Sequence, residues 1–120
     1  MEEEKLVEKS VNKIVNMRQA INLISDGDNI TISGFGPYLM PLALIREIIR
    51  QKKKDLELTS VGEAWAADIL VGANCINKIR MSNYMFEGFG RCYNFSRAVE
   101  NGDIIVEDYS HFGITSRLFA

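Results

Sequence analysis

The sequence is poor in cysteine, proline, histidine and tryptophan, and it has no long apolar run. Two cysteines, Cys75 and Cys92, are too few for a disulfide framework and too far apart for a CxxC metal or redox motif, so they read as buried free thiols. With 14 Lys and Arg against 16 Asp and Glu, the net charge of −2 supplies no basic field for a nucleic acid. The one basic run, residues 52–54, reads as a solvated helix end, where cations suit the helix dipole. The longest apolar stretch, residues 64–73, falls far short of the ~20 residues of a bilayer span. The amino terminus, Met1-Glu2-Glu3-Glu4-Lys5, lacks the basic start and apolar run of a secretory signal, which makes the cytoplasm the default expectation.

What is present is ordinary for a globular chain. At 120 residues, 47% hydrophobic and 25% charged, the composition predicts one folded domain and argues against disorder. A chain of this size has no room for a separate substrate domain, so complex chemistry here needs a partner.

The periodicity alternates between the two regular structures. An amphipathic lead-in covers residues 1–15, and the partial domain follows at 16–120. Asn16 with Gln19 forms a capping-box pair before an apolar helical face, and Asp26-Gly27-Asp28 stops that helix. Residues 29–33 are a β-branched run and read as a strand. Pro41 opens a helix through Gln51, and 56–60 is the next strand. Helices at 64–73 and 93–100, strands at 76–81 and 104–107, and a last helix from about Ser110 complete the pattern. Such alternation predicts an α/β fold: a parallel sheet with helices on both faces and Rossmann-type topology.

Ligands of such sheets bind beyond the carboxyl ends of the strands. The residues to inspect are therefore in the loops at 33–40, 61–65, 82–92 and 108–111. Gly34 and Gly36 flank Phe35 directly after a strand, which lets backbone N–H groups approach an anion. Many α/β proteins use glycine there simply to leave the strand, and this is neither GxGxxG nor a P-loop.

The string GDNITISGFG at 27–36, followed by Pro41, resembles the signature of two-subunit class I CoA-transferases: an acidic turn, an apolar strand, then Gly-Gly-Phe. Ser33 stands where the first glycine of that pair is usual, and Leu39 where a glycine commonly precedes the proline by two. The strings DILVGA at 68–73 and NFSRAVENG at 94–102 are similar to later family segments. Glu107-Asp108-Tyr109-Ser110 is similar to the glutaconate CoA-transferase branch of the alpha, or A, subunit. The likeness runs in unbroken order over about residues 13–120, and family A subunits are normally about twice this length, so a truncated domain is expected.

The resemblance implies transfer of CoA from an acyl-CoA to a free carboxylic acid, with a nucleophilic glutamate supplied by a B subunit in a hetero-oligomer. It implies no metal and no permanently bound cofactor, the CoA thioester being substrate. Ser33, Gly34, Phe35 and Gly36 would then form the substrate and oxyanion loop. An acyl-CoA ring-opening hydrolase of the same fold and a non-catalytic assembly fragment are the alternatives.

The remaining candidates have everyday readings beside the functional ones. Glu63 follows the second strand, roughly where a B subunit's nucleophile lies, yet loop carboxylates are usually solvated. His111, the only histidine, sits at the mouth of the fourth strand and is a candidate for proton transfer or a structural residue. Arg80, Asn83 and Arg91 bracket the third loop and suit a carboxylate or phosphate, as they suit a solvated surface. Tyr109 and Ser110 are further substrate candidates. Trp65, Phe86, Phe89 and Tyr93 read first as core or subunit interface. Glu100-Asn101-Gly102 imitates a B-subunit nucleophile string, but its position predicts a helix end with a glycine cap.

Overall fold

The computed structural model describes residues 13–120; of the helical lead-in expected at 1–15, residues 1–12 lie outside the described residues and residues 13–15 are not helical. The first helix, α1 (Met17–Ile21), starts on the expected capping box: the Asn16 side chain accepts from the Gln19 N–H at 2.9 Å, and the Gln19 side chain accepts from the Asn16 N–H at 3.0 Å. Four strands alternate with helices thereafter: β1 (Asn29–Thr31), α2 (Leu42–Arg50), β2 (Leu56–Thr59), α3 (Ala64–Gly72), β3 (Ile76–Met81), a 3-10 turn at Glu87–Phe89, α4 (Tyr93–Asn101), β4 (Ile105–Asp108) and α5 (His111–Phe119).

All strand pairs are parallel and the spatial order is β1-β2-β3-β4. Right-handed crossovers between adjacent parallel strands return each connecting helix to the same side. In register, Ile30, Leu58, Ile79 and Val106 share the face under those helices. Leu58 and Ile79 are fully buried there in one cluster with Ile21 of α1, Ile45 and Ile48 of α2, Ala67 and Leu70 of α3 and Ala98 of α4. The strand order never reverses, so the crevice of a topological switch point is absent from the described residues and a ligand must use the loops themselves.

The opposite face is polar and laced with ion pairs. Arg80 donates to Glu57 at 2.7 Å and to Glu107 at 3.0 Å, Lys78 meets Glu107 at 2.5 Å, and the Thr59 hydroxyl donates to the Asn29 side chain at 3.0 Å. The Tyr109 hydroxyl donates to Glu107 at 2.9 Å, and the Arg117 guanidinium of α5 lies 4.5 Å above the Tyr109 ring. This contact brings α5 to the second face at its β4 end, while Asn29 and Thr31 at the other end stay exposed. The α4 terminus follows its sequence reading, with Gly102 left-handed at φ 76° as the cap.

Candidate functional site

Parallel strands present their carboxyl ends together, and the loops leaving β1, β2 and β3 converge there. The loop after β1 turns back on itself: the Phe35 N–H donates to the Tyr38 carbonyl at 3.1 Å, and the Tyr38 N–H returns to Phe35 at 2.9 Å. The Gly36 N–H crosses to the Gly62 carbonyl of the loop after β2 at 2.9 Å. That loop is in turn tied to the one after β3, where the Asn83 N–H and the Ser82 hydroxyl both donate to the Val61 carbonyl, at 3.3 Å and 2.5 Å.

Gly34 is the residue this turn demands. Its φ is 135°, and a Cβ placed on it would sit 2.8 Å from both the Met40 Cγ and the Tyr38 carbonyl oxygen. Gly36, at φ 54°, has an easier position, its nearest neighbour being the Glu87 Cγ at 3.5 Å. Among the described residues, the Gly34 N–H is the one donor of the Gly34-Phe35-Gly36 string with no acceptor. Ser33 is exposed beside it.

Glu63 is buried, 4% exposed, and its carboxylate accepts from the Gly62 N–H at 3.0 Å. The resemblance-based loop and the carboxylate that sequence position singled out are therefore neighbours through Gly62. Asn83 borders the same junction, its carbonyl oxygen 3.5 Å from a Cβ placed on Gly62.

The other candidates lie elsewhere. Arg80 is taken up by Glu57 and Glu107 on the polar face, and these carboxylates hold its guanidinium still further above neutrality. Tyr109 belongs to the same network. Ser110 caps α5, accepting from the Gly113 N–H at 3.0 Å, and His111 is the exposed first residue of that helix. Arg91 is exposed and 4.0 Å from Glu100.

Sequence reasoning missed three features of the site. Glu87 stands beside Gly36 on the 3-10 turn, in a left-handed conformation at φ 51° that nothing in its type announced. The Tyr84 hydroxyl is paired with the buried Ser60 hydroxyl beneath the loops, and burial pushes its pKa up. Asp68, read as helix pattern, is buried and accepts from the Asn94 amide and the Phe95 N–H, both at 2.9 Å, so it fastens α3 to the start of α4. An acidic residue on an otherwise apolar helix was the available signal.

Among the described residues no three His, Cys, Asp or Glu side chains are grouped to hold a metal ion, and no helix is long and apolar enough to cross a membrane.

A parallel α/β sheet whose first carboxyl-end loop is a glycine turn clamped to the second defines the class, and comparison supplies the family. The coenzyme A transferase family model matches residues 14–120, and the chain belongs to that family. The A subunit of 3-oxoadipate CoA-transferase from Pseudomonas knackmussii is 32% identical over 112 residues, which cover 90% of this chain and 39% of that protein. An uncharacterized protein of Archaeoglobus fulgidus is 28% identical over 112 residues, covering 91% of this chain and 25% of that one. Among solved structures, glutaconate coenzyme A-transferase from Acidaminococcus fermentans superposes with a TM-score of 0.75 at 27% identity, over 82% of this chain and 32% of that one. A variant of the decarboxylase AibA/AibB gives 0.76 at 27% identity, over 80% and 38%. The chain thus spans at most 39% of the length of these relatives. The matched stretch is that of an A subunit, as the motif string implied.

Proposed function

We propose that this chain is part of the A subunit of a two-subunit CoA-transferase, which moves CoA from an acyl-CoA to a free carboxylic acid. The observation that carries the reading is the family match over residues 14–120 coinciding with a turn at the carboxyl end of β1 whose conformation requires glycine at Gly34. In this reading a B subunit supplies the nucleophilic glutamate, which attacks the thioester carbonyl and expels CoA thiolate to give an enzyme-bound anhydride; the thiolate then attacks the glutamyl carbonyl, releasing the donor acid and leaving a glutamyl-CoA thioester, and the acceptor carboxylate runs the same two steps in reverse to leave as acyl-CoA. A covalent carboxylate intermediate divides one hard exchange into easier steps.

This chain's part is positional and electrostatic. The Gly34 N–H is the free donor, and it stabilises the oxyanion of each tetrahedral intermediate; one such donor is worth roughly 100-fold or more in rate. The Phe35 and Gly36 N–H groups are spent inside the protein and keep that donor in place. Glu63 acts as a buttress for the Gly62 peptide. The CoA thioester is substrate rather than resident cofactor, and a cytoplasmic location suits it.

The test is CoA exchange between labelled acetate and a panel of acyl-CoAs, with the chain alone and with its B-type partner. Exchange that needs both chains is expected. Because folds host unrelated chemistries and the AibA/AibB decarboxylase is as similar as the transferase, the same assay records carbon dioxide release and thioester hydrolysis. Either product without exchange would overturn the transferase reading.

A further inference from the structure

One peptide in the loop after β2 is held at both of its polar atoms. The Val61 carbonyl accepts from the Ser82 hydroxyl at 2.5 Å and from the Asn83 N–H at 3.3 Å. At the other end of the same peptide, the Gly62 N–H donates to the Glu63 carboxylate at 3.0 Å. The next carbonyl along the chain, that of Gly62, accepts from the Gly36 N–H at 2.9 Å. Fixing the Val61–Gly62 peptide plane therefore limits where the Gly62 carbonyl points, and that carbonyl anchors the turn in which Gly34 stands.

Gly36, Gly62 and Glu63 are all buried. Among the described residues the Gly62 N–H is the one hydrogen-bond donor to the Glu63 carboxylate, and no Lys, Arg or His forms an ion pair with it. Taking a carboxylate out of water is costly unless its partners compensate, so one kept for a single backbone N–H marks a peptide whose orientation matters. The bond is charge-assisted, about twice as strong as its neutral counterpart. Gly62 has no Cβ to restrain its backbone, so the two side chains supply the restraint that the residue itself lacks.

We propose that Glu63 and Ser82 are positioning residues for the transfer reaction, a step that rests on the transferase reading. Gripping the Val61–Gly62 peptide from both ends, they hold the Gly62 carbonyl against Gly36 and so keep the Gly34 N–H aimed at the oxyanion. Neither side chain needs to touch the substrate. Loss of either grip frees the peptide to turn, and the effect reaches the reaction through the glycine turn alone.

The test is the exchange assay with the B-type partner, read as kcat and KM, on Glu63→Ala, Glu63→Gln, Ser82→Ala and the double alanine variant. In each single alanine variant kcat should fall about tenfold to 100-fold, the upper bound being loss of the donor itself. KM should stay unchanged, because the interaction lost is one made in the transition state. Glu63→Gln keeps an oxygen that accepts from the Gly62 N–H and should recover most of the rate. The double variant should lose less than the product of the single losses, since both grips act on one peptide. The isolated chain gives a readout that needs no activity: in Glu63→Ala the Gly36 amide should exchange with deuterium about tenfold faster, beyond any change at the core amides of Leu58 and Ile79. Wild-type kcat in the alanine variants, a loss confined to KM, a Glu63→Gln as slow as Glu63→Ala, multiplicative losses in the double variant, or an unchanged Gly36 amide would each overturn the inference while leaving the transferase reading standing. Absence of exchange by the wild type with its partner would overturn both. Where Glu63→Ala fails to fold, Ser82→Ala carries the same kinetic and amide-exchange test from the other end of the peptide.

Discussion

The Gly36 N–H donates to the Gly62 carbonyl at 2.9 Å, so the loop after β1 is fastened to the loop after β2 within the protein itself. A donor used in this way is unavailable to a substrate. The bond instead fixes the turn in which Gly34 stands, and it makes the two flanking glycines unequal.

Alanine at these two positions should therefore give different results. In Gly34→Ala the new Cβ meets the Tyr38 carbonyl and Met40 at 2.8 Å, and φ 135° is a region essentially closed to other residues. The turn must rebuild, and exchange activity should fall about 100-fold or more as the free N–H moves. Gly36→Ala meets nothing closer than 3.5 Å and carries only the left-handed penalty of about 1–2 kcal/mol. Steady-state exchange rates and urea midpoints of the two variants check this. Equal activity losses would sink the assignment of Gly34 as the donor.

Asp68 and Gly72 should be coupled through Asn94. Asp68→Ala leaves the Asn94 amide and the Phe95 N–H without their acceptor, at a cost of about 3 kcal/mol in a urea titration. Gly72→Ala in a helix would ordinarily add about 1 kcal/mol of stability. Here its Cβ would stand 2.8 Å from Asn94, whose amide Asp68 holds in place, so it should destabilise instead. In the Asp68→Ala background Asn94 can retreat and the alanine should become harmless. A double-mutant cycle with no coupling would refute the arrangement.

The strands and helices were legible because they are periodic. The β3 span was read at its observed bounds, and β4 was read one residue early because Ile104 continues the apolar run without joining the ladder. The glycine turn was legible as a string, but the internal use of two of its donors was not, since that depends on Gly62 and Tyr38 approaching across the fold. Arg80 illustrates the same limit. It lies near a carboxyl-end loop in sequence, yet strand alternation turns its side chain to the polar face, where Glu57 and Glu107 wait. Lateral strand order decides such contacts, and one sequence does not carry it.

The two thiols should be inert in the folded protein. Cys75 and Cys92 are 2% and 1% exposed. Burial pushes both thiol pKa values up, that of Cys92 to about 12 with the Asp68 carboxylate adding to the effect. The thiolate is the reactive form, so a disulfide reagent at pH 8 should modify neither residue until denaturant is added. Rapid reaction of one thiol without denaturant would contradict the burial.

Glu107 predicts how stability responds to acid. Its pKa is lowered from 4.5 to about 2, first by the hydrogen bond from Lys78, then by the Tyr109 hydroxyl, with the charges of Lys78 and Arg80 assisting against desolvation. A carboxylate more acidic when folded than unfolded stabilises the fold above its unfolded pKa, and the contribution fades as pH falls toward the folded value. The window is thus about pH 4.5 down to about 2. Glu107→Gln removes the charge while an amide oxygen can still accept from Tyr109 and Arg80. Its melting temperature should lie below that of the wild type at pH 7, with the gap closing through that window because the wild-type carboxylate becomes neutral there. Surface pairs are screened by salt, so 1 M NaCl at pH 7 should also narrow the gap. A gap that stays constant from pH 7 to pH 2 would show that Glu107 acts by shape and hydrogen bonding alone, and that the ion-pair ladder on the polar face adds nothing through its charge.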